Sequence, residues 1–328
     1  MNNRKSENLK KYIVKILAPF LLVCFTSLWV VNAQHKTEFE FVETVSDEMR
    51  KKMQDNVGTV FGSIHDSYFA EKTNINISRN NATPDAIEQI QALWSTSHFY
   101  CTETDVIARV LKSARGWQVR GIPVFFKQGG TDADKYQDIV IEFASDGKIS
   151  DVFIALPMHQ VAEILKAQDE VTDLRRRQLI LGFVENFRTA YNRKDIDYLD
   201  RVFSNDALII VGRELRSRGD GLPPPVHYDV RTKKEYMDGL KRAFARNQYI
   251  NIKFSEIEVM QHSNPGSNHI YGVMLRQDWN TTTYSDTGWI FLMIDFKDED
   301  NPLIWVRTWQ PISVPKNQVF WLGDFPIL

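Results

Sequence analysis

Apolar residues early in the chain recur at helical spacing. Met49, Met53, Val57, Val60, Phe61, Ile64 and Tyr68 form one stripe behind Ser46, whose hydroxyl suits a helix N-cap, so a first helix is predicted. Thr83 as cap and Pro84 as first helical residue open a second, with Ile87, Ile90, Leu93 and Trp94 on one face. From Phe99 the period falls towards two. Strands are predicted at 106–111, 117–127 and 137–143, and Ser145-Asp146-Gly147-Lys148 makes a tight turn into a returning strand at 149–156.

A connecting helix is predicted at 158–167, and the acidic-then-basic run 169–177 reads as a solvated boundary. Leu179, Ile180, Phe183, Val184, Phe187 and Tyr191 then predict an amphipathic helix, and Ile196, Leu199, Val202 and Phe203 a short one. A strand follows at 208–211. Gly219, Gly221 and Pro223 to Pro225 predict a loop over 213–225. Thr232 and Glu235 form a capping box for a helix carrying Tyr236, Leu240 and Phe244. Strands are predicted at 250–259, 270–279, 288–296 and 303–309. The halves end alike, with Ile141-Glu142-Phe143 and Ile294-Asp295-Phe296 each followed by a turn and a strand, which suggests a tandem duplication. The expected division is 34–168, a degenerate first domain, 169–314, a clearer second one, and a tail, 315–328.

The N-terminus has a different pattern. Arg4, Lys5, Lys10, Lys11 and Lys15 precede an apolar stretch from Ile16 to Val31, and Val31-Asn32-Ala33 supplies a cleavage site. That is the layout of a secretory signal peptide over 1–33, with Gln34 as the new N-terminus. The expected address is the periplasm or cell envelope; the alternative is tethering by an uncleaved N-terminal helix. Of the 328 residues, 40 are Lys or Arg and 42 are Asp or Glu, and without 1–33 the net charge goes from −2 to −6. An acidic chain disfavours nucleic-acid binding. No membrane span is expected beyond the signal. Cys101 is the one cysteine left after cleavage, so no internal disulfide is available, and its apolar neighbours predict a buried structural thiol.

The second half carries a resemblance. FVENFRTAYNRKDIDYLDRVFSNDALII from Phe183 to Ile210, KKEYMDGLKRAF from Lys233 to Phe244, and the closing hairpin ending in WVRTWQP are similar to the nuclear-transport-factor-2-like superfamily, its SnoaL-like and ketosteroid isomerase-like members in particular. The resemblance covers about 170–312, and more weakly 43–156. It implies an α+β fold of two tandem cone-shaped domains, each with N-terminal helices packed on a curved antiparallel sheet. It also implies a pocket at the open end of the cone and an outer sheet face that is commonly an interface. Enzymes and pure binding modules share this plan, so function has to be read from the site.

Strict alternation over the last strand puts Leu303, Trp305, Arg307 and Trp309 on one face and Ile304, Val306, Thr308 and Gln310 on the other. Arg307 between tryptophans suits an anion or a stacked ring. Trp279 and Trp289, with Arg276 nearby, belong to the same sheet. Tyr191, Asp206, Arg276, Trp279, Trp289, Arg307 and Trp309 are therefore the candidate ligand-binding residues; core packing and a domain interface are the other reading of the tryptophans. The isomerase-like members use a general-base Asp, and Tyr191, Asp206 and Asp278 are the candidates for such roles, but no full acid–base set can be placed and no residue is assigned as catalytic. The seven histidines have no metal-binding spacing, and no phosphate, dinucleotide or nucleophile-elbow motif occurs, so no metal and no cofactor is expected. The tail, with Phe320, Trp321, Leu322, Phe325, Ile327 and Leu328, is too apolar to stay free and should dock on the chain or a partner. The leading expectation is an exported binding or assembly module without its own catalysis, partnered by an envelope protein or a second copy. The alternative is an isomerase- or dehydratase-like enzyme, or a carrier, for a small apolar or anionic ligand.

Overall fold

Ser46 and Thr83 cap as their chemistry requires. Ser46 Oγ accepts from the Met49 amide and Thr83 Oγ1 from the Ala86 amide, both at 3.3 Å. They begin α1 (Asp47–Phe69) and α2 (Pro84–Thr96). This computed structural model describes residues 36–42, 45–166, 171, 173–216, 224–262 and 266–325. Residues 1–35, which include the expected signal peptide, residues 167–170 and 172 of the boundary, the Gly-rich part of the 213–225 loop and the last three tail residues lie outside them. Among the described residues no helix is long and apolar enough to cross a membrane.

In the first half, α1 and α2 pack on a sheet ordered β2 (Phe99–Cys101), β5 (Trp117–Phe126), β6 (Tyr136–Phe143), β7 (Ile149–Ile154), all antiparallel, with β4 (Leu111–Lys112) beside β5. Gly147, at φ +81°, takes the left-handed position of the β6–β7 turn, which a side chain would strain. Two further strands, β1 (Glu38–Val42) and β3 (Asp105–Arg109), pair in parallel. The alternation Glu-Phe-Glu-Phe buries Phe39 and Phe41. The core between helices and sheet includes Phe61, Trp94, Phe99 and Ile141. Cys101 is buried there, and burial pushes its thiol pKa up, as suits a structural thiol.

After α3 (Met158–Lys166), the second half runs α4 (Leu174–Asn192), α5 (Ile196–Val202), β8 (Phe203–Glu214), β9 (Val226–Arg231), α6 (Lys233–Arg246), then β10 (Ile250–Gln261), β11 (Ile270–Thr281), β12 (Ser285–Asp295) and β13 (Leu303–Pro311). The sheet order is β10-β11-β12-β13-β8-β9, antiparallel except for the parallel β13–β8 pair. The helices lie in the curl of this sheet, which is the cone plan. The strand starting at Phe203 is much longer than the predicted 208–211, and β9 occupies a stretch without predicted structure. One apolar core fills the cone, around Phe187, Tyr191, Phe203, Phe254 and Leu292. A separate cluster covers the outer face, where Val319, Leu322 and Phe325 of the tail bury Met274, Phe291 and Met293.

The halves meet along α4, whose other side carries polar residues. Glu185, fully buried, accepts from Arg120 Nη1 at 3.0 Å and Nη2 at 2.5 Å and from the Leu156 amide at 2.8 Å. Arg188 donates to the Ile252 and Ala155 carbonyls and to Gln137. Thr189 Oγ1 accepts from the Ile154 amide at 2.9 Å. Residues from Thr37 onward thus form one compact unit.

Candidate functional site at the second cone

A bulge in β13 reorganises the predicted alternation. The register with β12 slips between Ile304 and Val306, and Trp305 is left 40% exposed. Ile304 therefore joins Arg307 and Trp309 on the inner face, and Val306 joins the outer cluster. Trp305 does not share the face of Arg307.

Four sequence candidates meet inside the cone. Tyr191 comes from α4, Trp279 from β11, and Arg307 and Trp309 from β13. The ring of Tyr191 is edge-on to Trp279 with centroids 5.8 Å apart. Its hydroxyl lies 2.7 Å from that of Tyr236 on α6, and the Arg307 guanidinium sits 4.8 Å above the Tyr236 ring. Burial above all, then the neighbouring Tyr236, raises the Tyr191 pKa well above the usual phenol value, so the Tyr191 hydroxyl stays protonated. Arg307 is 5% exposed, and among the described residues its Nε and Nη1 have no hydrogen-bond partner. Phe187, Phe203 and Phe244 fill the space around this cluster.

Trp309 lies at the transition from this filled interior to open space. A Cβ on Gly288 of the next strand would stand 2.8 Å from two of its indole carbons, so only glycine lets the ring lie against the sheet. In front of it opens a cleft of about 760 Å³, lined by Trp309, Arg213, Asp229, Arg231, Asn280 and Asp286 among others. Tyr284 donates to Asp286 at 2.8 Å, and desolvation first, then that carboxylate, pushes the phenol up to about 12. Asp286 itself is raised, chiefly by burial. The cleft offers one aromatic platform ringed by donors and acceptors of both charges.

The remaining candidates lie elsewhere. Arg276 and Trp289 are cross-strand neighbours on the outer face. Arg276 is 3.5 Å from Glu256 and 3.7 Å from Asp278. Trp289 is buried under the tail, its Nε1 donating to the Val314 carbonyl at 3.2 Å. Asp206 is exposed near the start of β8, its amide donating to Ser204 Oγ at 3.3 Å. None of the three joins the cone cluster. Tyr236 does, and sequence reasoning placed it only on a core stripe; its position just after the Thr232–Glu235 capping box, facing the tyrosine of α4, was the available signal.

No family model matches the sequence, and neither does any curated protein. Solved structures do match in part. Bd1075 of Bdellovibrio bacteriovorus aligns over 44% of this chain and 44% of its own, at 20% identity and TM-score 0.33. The helical cell shape determining protein Pgp2 of Campylobacter jejuni aligns over 40% of each, at 15% identity and TM-score 0.31. An NTF2-like protein of Cytophaga hutchinsonii aligns over 42% of this chain and 98% of its own, at 13% identity and TM-score 0.27. The chain thus spans less than half the length of the first two. The cone plan itself rests on the chain's own element order and strand pairing.

Proposed function

We propose that this chain is an exported module of the cell envelope that binds a ligand or partner at the mouth of its second cone and performs no chemistry of its own. One observation carries the reading: the cone interior is filled by its own aromatic side chains, while the open volume lies outside them, on the Trp309 platform. A tryptophan face with Asn280, Asp229, Arg213 and Arg231 around it suits a polar ligand with a flat or aliphatic face, such as a saccharide or an extended peptide. Export is supported by the basic, apolar and small-residue sequence of 1–33. Native mass spectrometry of the protein recovered from its own envelope fraction tests the reading. The expected result is a chain starting at Gln34 with a bound mass that Trp309→Ala loses. Recovery of the same mass by Trp309→Ala, or of a bare chain from gentle extracts, contradicts it.

An enzymatic reading has one specific observation in its favour. The Tyr191 and Tyr236 hydroxyls, paired beside a buried guanidinium, are donors of the kind that polarise a carbonyl. That reading requires Tyr236→Phe to abolish a turnover; the binding reading requires ligand capture by Tyr236→Phe to persist.

A further inference from the structure

The second sheet has two edges, and they are built differently. At one, β10 is broken by a bulge between Ser255 and Glu258, and the amide and carbonyl of Ile252 are taken by Asn192 and Arg188 of α4. At the other, β9 pairs with β8 in unbroken register from Val226 to Arg231, and among the described residues no strand lies on its far side. β9 contains no proline, lysine or bulge, the devices that commonly blunt an open edge. Its side chains alternate. Asp229 and Arg231 line the cleft in front of Trp309, and His227 Nε2 lies 3.2 Å from Asp229 on that same side. Val226 and Tyr228 belong to the outer face, where Val226 packs on the tail-covered cluster and the Tyr228 ring is edge-on to Phe320 at 5.4 Å. Val230 follows them on that face and is 68% exposed.

We propose that β9 pairs with β9 of a second copy of this chain, antiparallel across a two-fold axis at Tyr228, so that two second-half sheets join into one. That register sets His227 of each copy opposite Asp229 of the other on the cleft side. On the outer side it sets Tyr228 opposite its own counterpart and Val226 opposite Val230. Charge complementarity on one face and apolar pairing on the other thus fall in the same register. Centred on Asp229, the pairing would oppose two aspartates and set His227 against Arg231. Centres nearer either end run into Pro225, which has no amide hydrogen to donate, or into α6, and leave a shorter ladder. The joined sheet carries both Trp309 clefts on one side, with His227 of the second copy beside Asp229 in the wall of each. The pairing does not depend on what the cone mouth binds.

Sedimentation equilibrium of the protein from Gln34 onward tests this. The ladder is six residues long and well below a standard interface, so a weak monomer–dimer equilibrium is expected, with a Kd on the order of 10 μM. Val230→Lys puts a charge on the exposed edge without touching the core. It is expected to weaken the dimer by about tenfold or more and to leave the thermal melt of the monomer unchanged. Two further variants test the register. His227→Glu and Asp229→Lys each spoil the cross-axis pair and are expected to be monomeric alone. Mixed one to one they are expected to dimerise, because the introduced carboxylate then faces the introduced ammonium and the native His227–Asp229 pair is kept on the other side of the axis. A wild type that stays monomeric up to about 0.5 mM overturns the proposal. So does a dimer that Val230→Lys leaves intact, or a mixture that associates no better than each variant alone.

Discussion

Single residues here are explained by what their neighbours allow. Trp309 lies flat because Gly288 has no side chain, and Arg307 tolerates burial by resting on Tyr236. Sequence alone names Arg307 and Trp309 but cannot say which sheet face they share with Arg276 or Trp289, because both faces of β12 are apolar and only pairing settles it. Nothing in the sequence around Glu142 marks its carboxyl as unusual; its character comes first from burial and then from Asp151, nine residues away across a turn. Its pH behaviour follows from the sign of the shift. The folded state holds the Glu142 proton up to about 7, whereas the unfolded chain releases it near 4.5. Stability is therefore lost as pH rises through that window. Glu142→Gln is expected to be more stable than the wild type by roughly 1–3 kcal/mol at about pH 8 and nearly equal at about pH 4. Paired thermal melts at the two pH values check this; an equal difference at both would contradict it.

Elements were legible where their signals are local. The caps at Ser46, Thr83 and Thr232 start their helices, and the closing strands of each half lie close to their predicted spans. The strands missed have no local signal of the expected kind. β1 pairs with β3 across more than sixty residues, and β9 is an edge strand with no buried side chain. The Trp305 bulge was equally invisible, since alternation assumes an unbroken pleat. The tail acts as a further element: Phe325 stacks on Phe291 at 5.6 Å, and Leu322 and Val319 complete the cover of the outer face. Phe325→Ala is expected to cost about 3 kcal/mol, the usual range for a buried phenylalanine, and to expose the apolar sheet face. Denaturant melts measure the first effect and binding of a hydrophobic dye the second; a loss below about 0.5 kcal/mol would mean that the tail is a loose covering.

At the scale of the molecule, the two halves have separate apolar cores joined by a polar seam. Arg120 and Glu185 hold its centre, with side chains 10% and 0% exposed. Removing one partner strands a buried charge, so Glu185→Ala is expected to cost about 3–5 kcal/mol, and the double variant Arg120→Met/Glu185→Leu much less. Additive losses across Arg120→Met, Glu185→Leu and the double variant would show that the pair contributes nothing as a pair. The seam gives the cone a fixed platform, and the proposed binding surface is the cone's mouth. Hydrogen–deuterium exchange of the whole protein, with and without its own envelope extract, tests that surface most directly. The account predicts protection confined to the cleft, at residues 211–214, 229–231 and 280–287. Protection centred on the first sheet, or none anywhere, would contradict it.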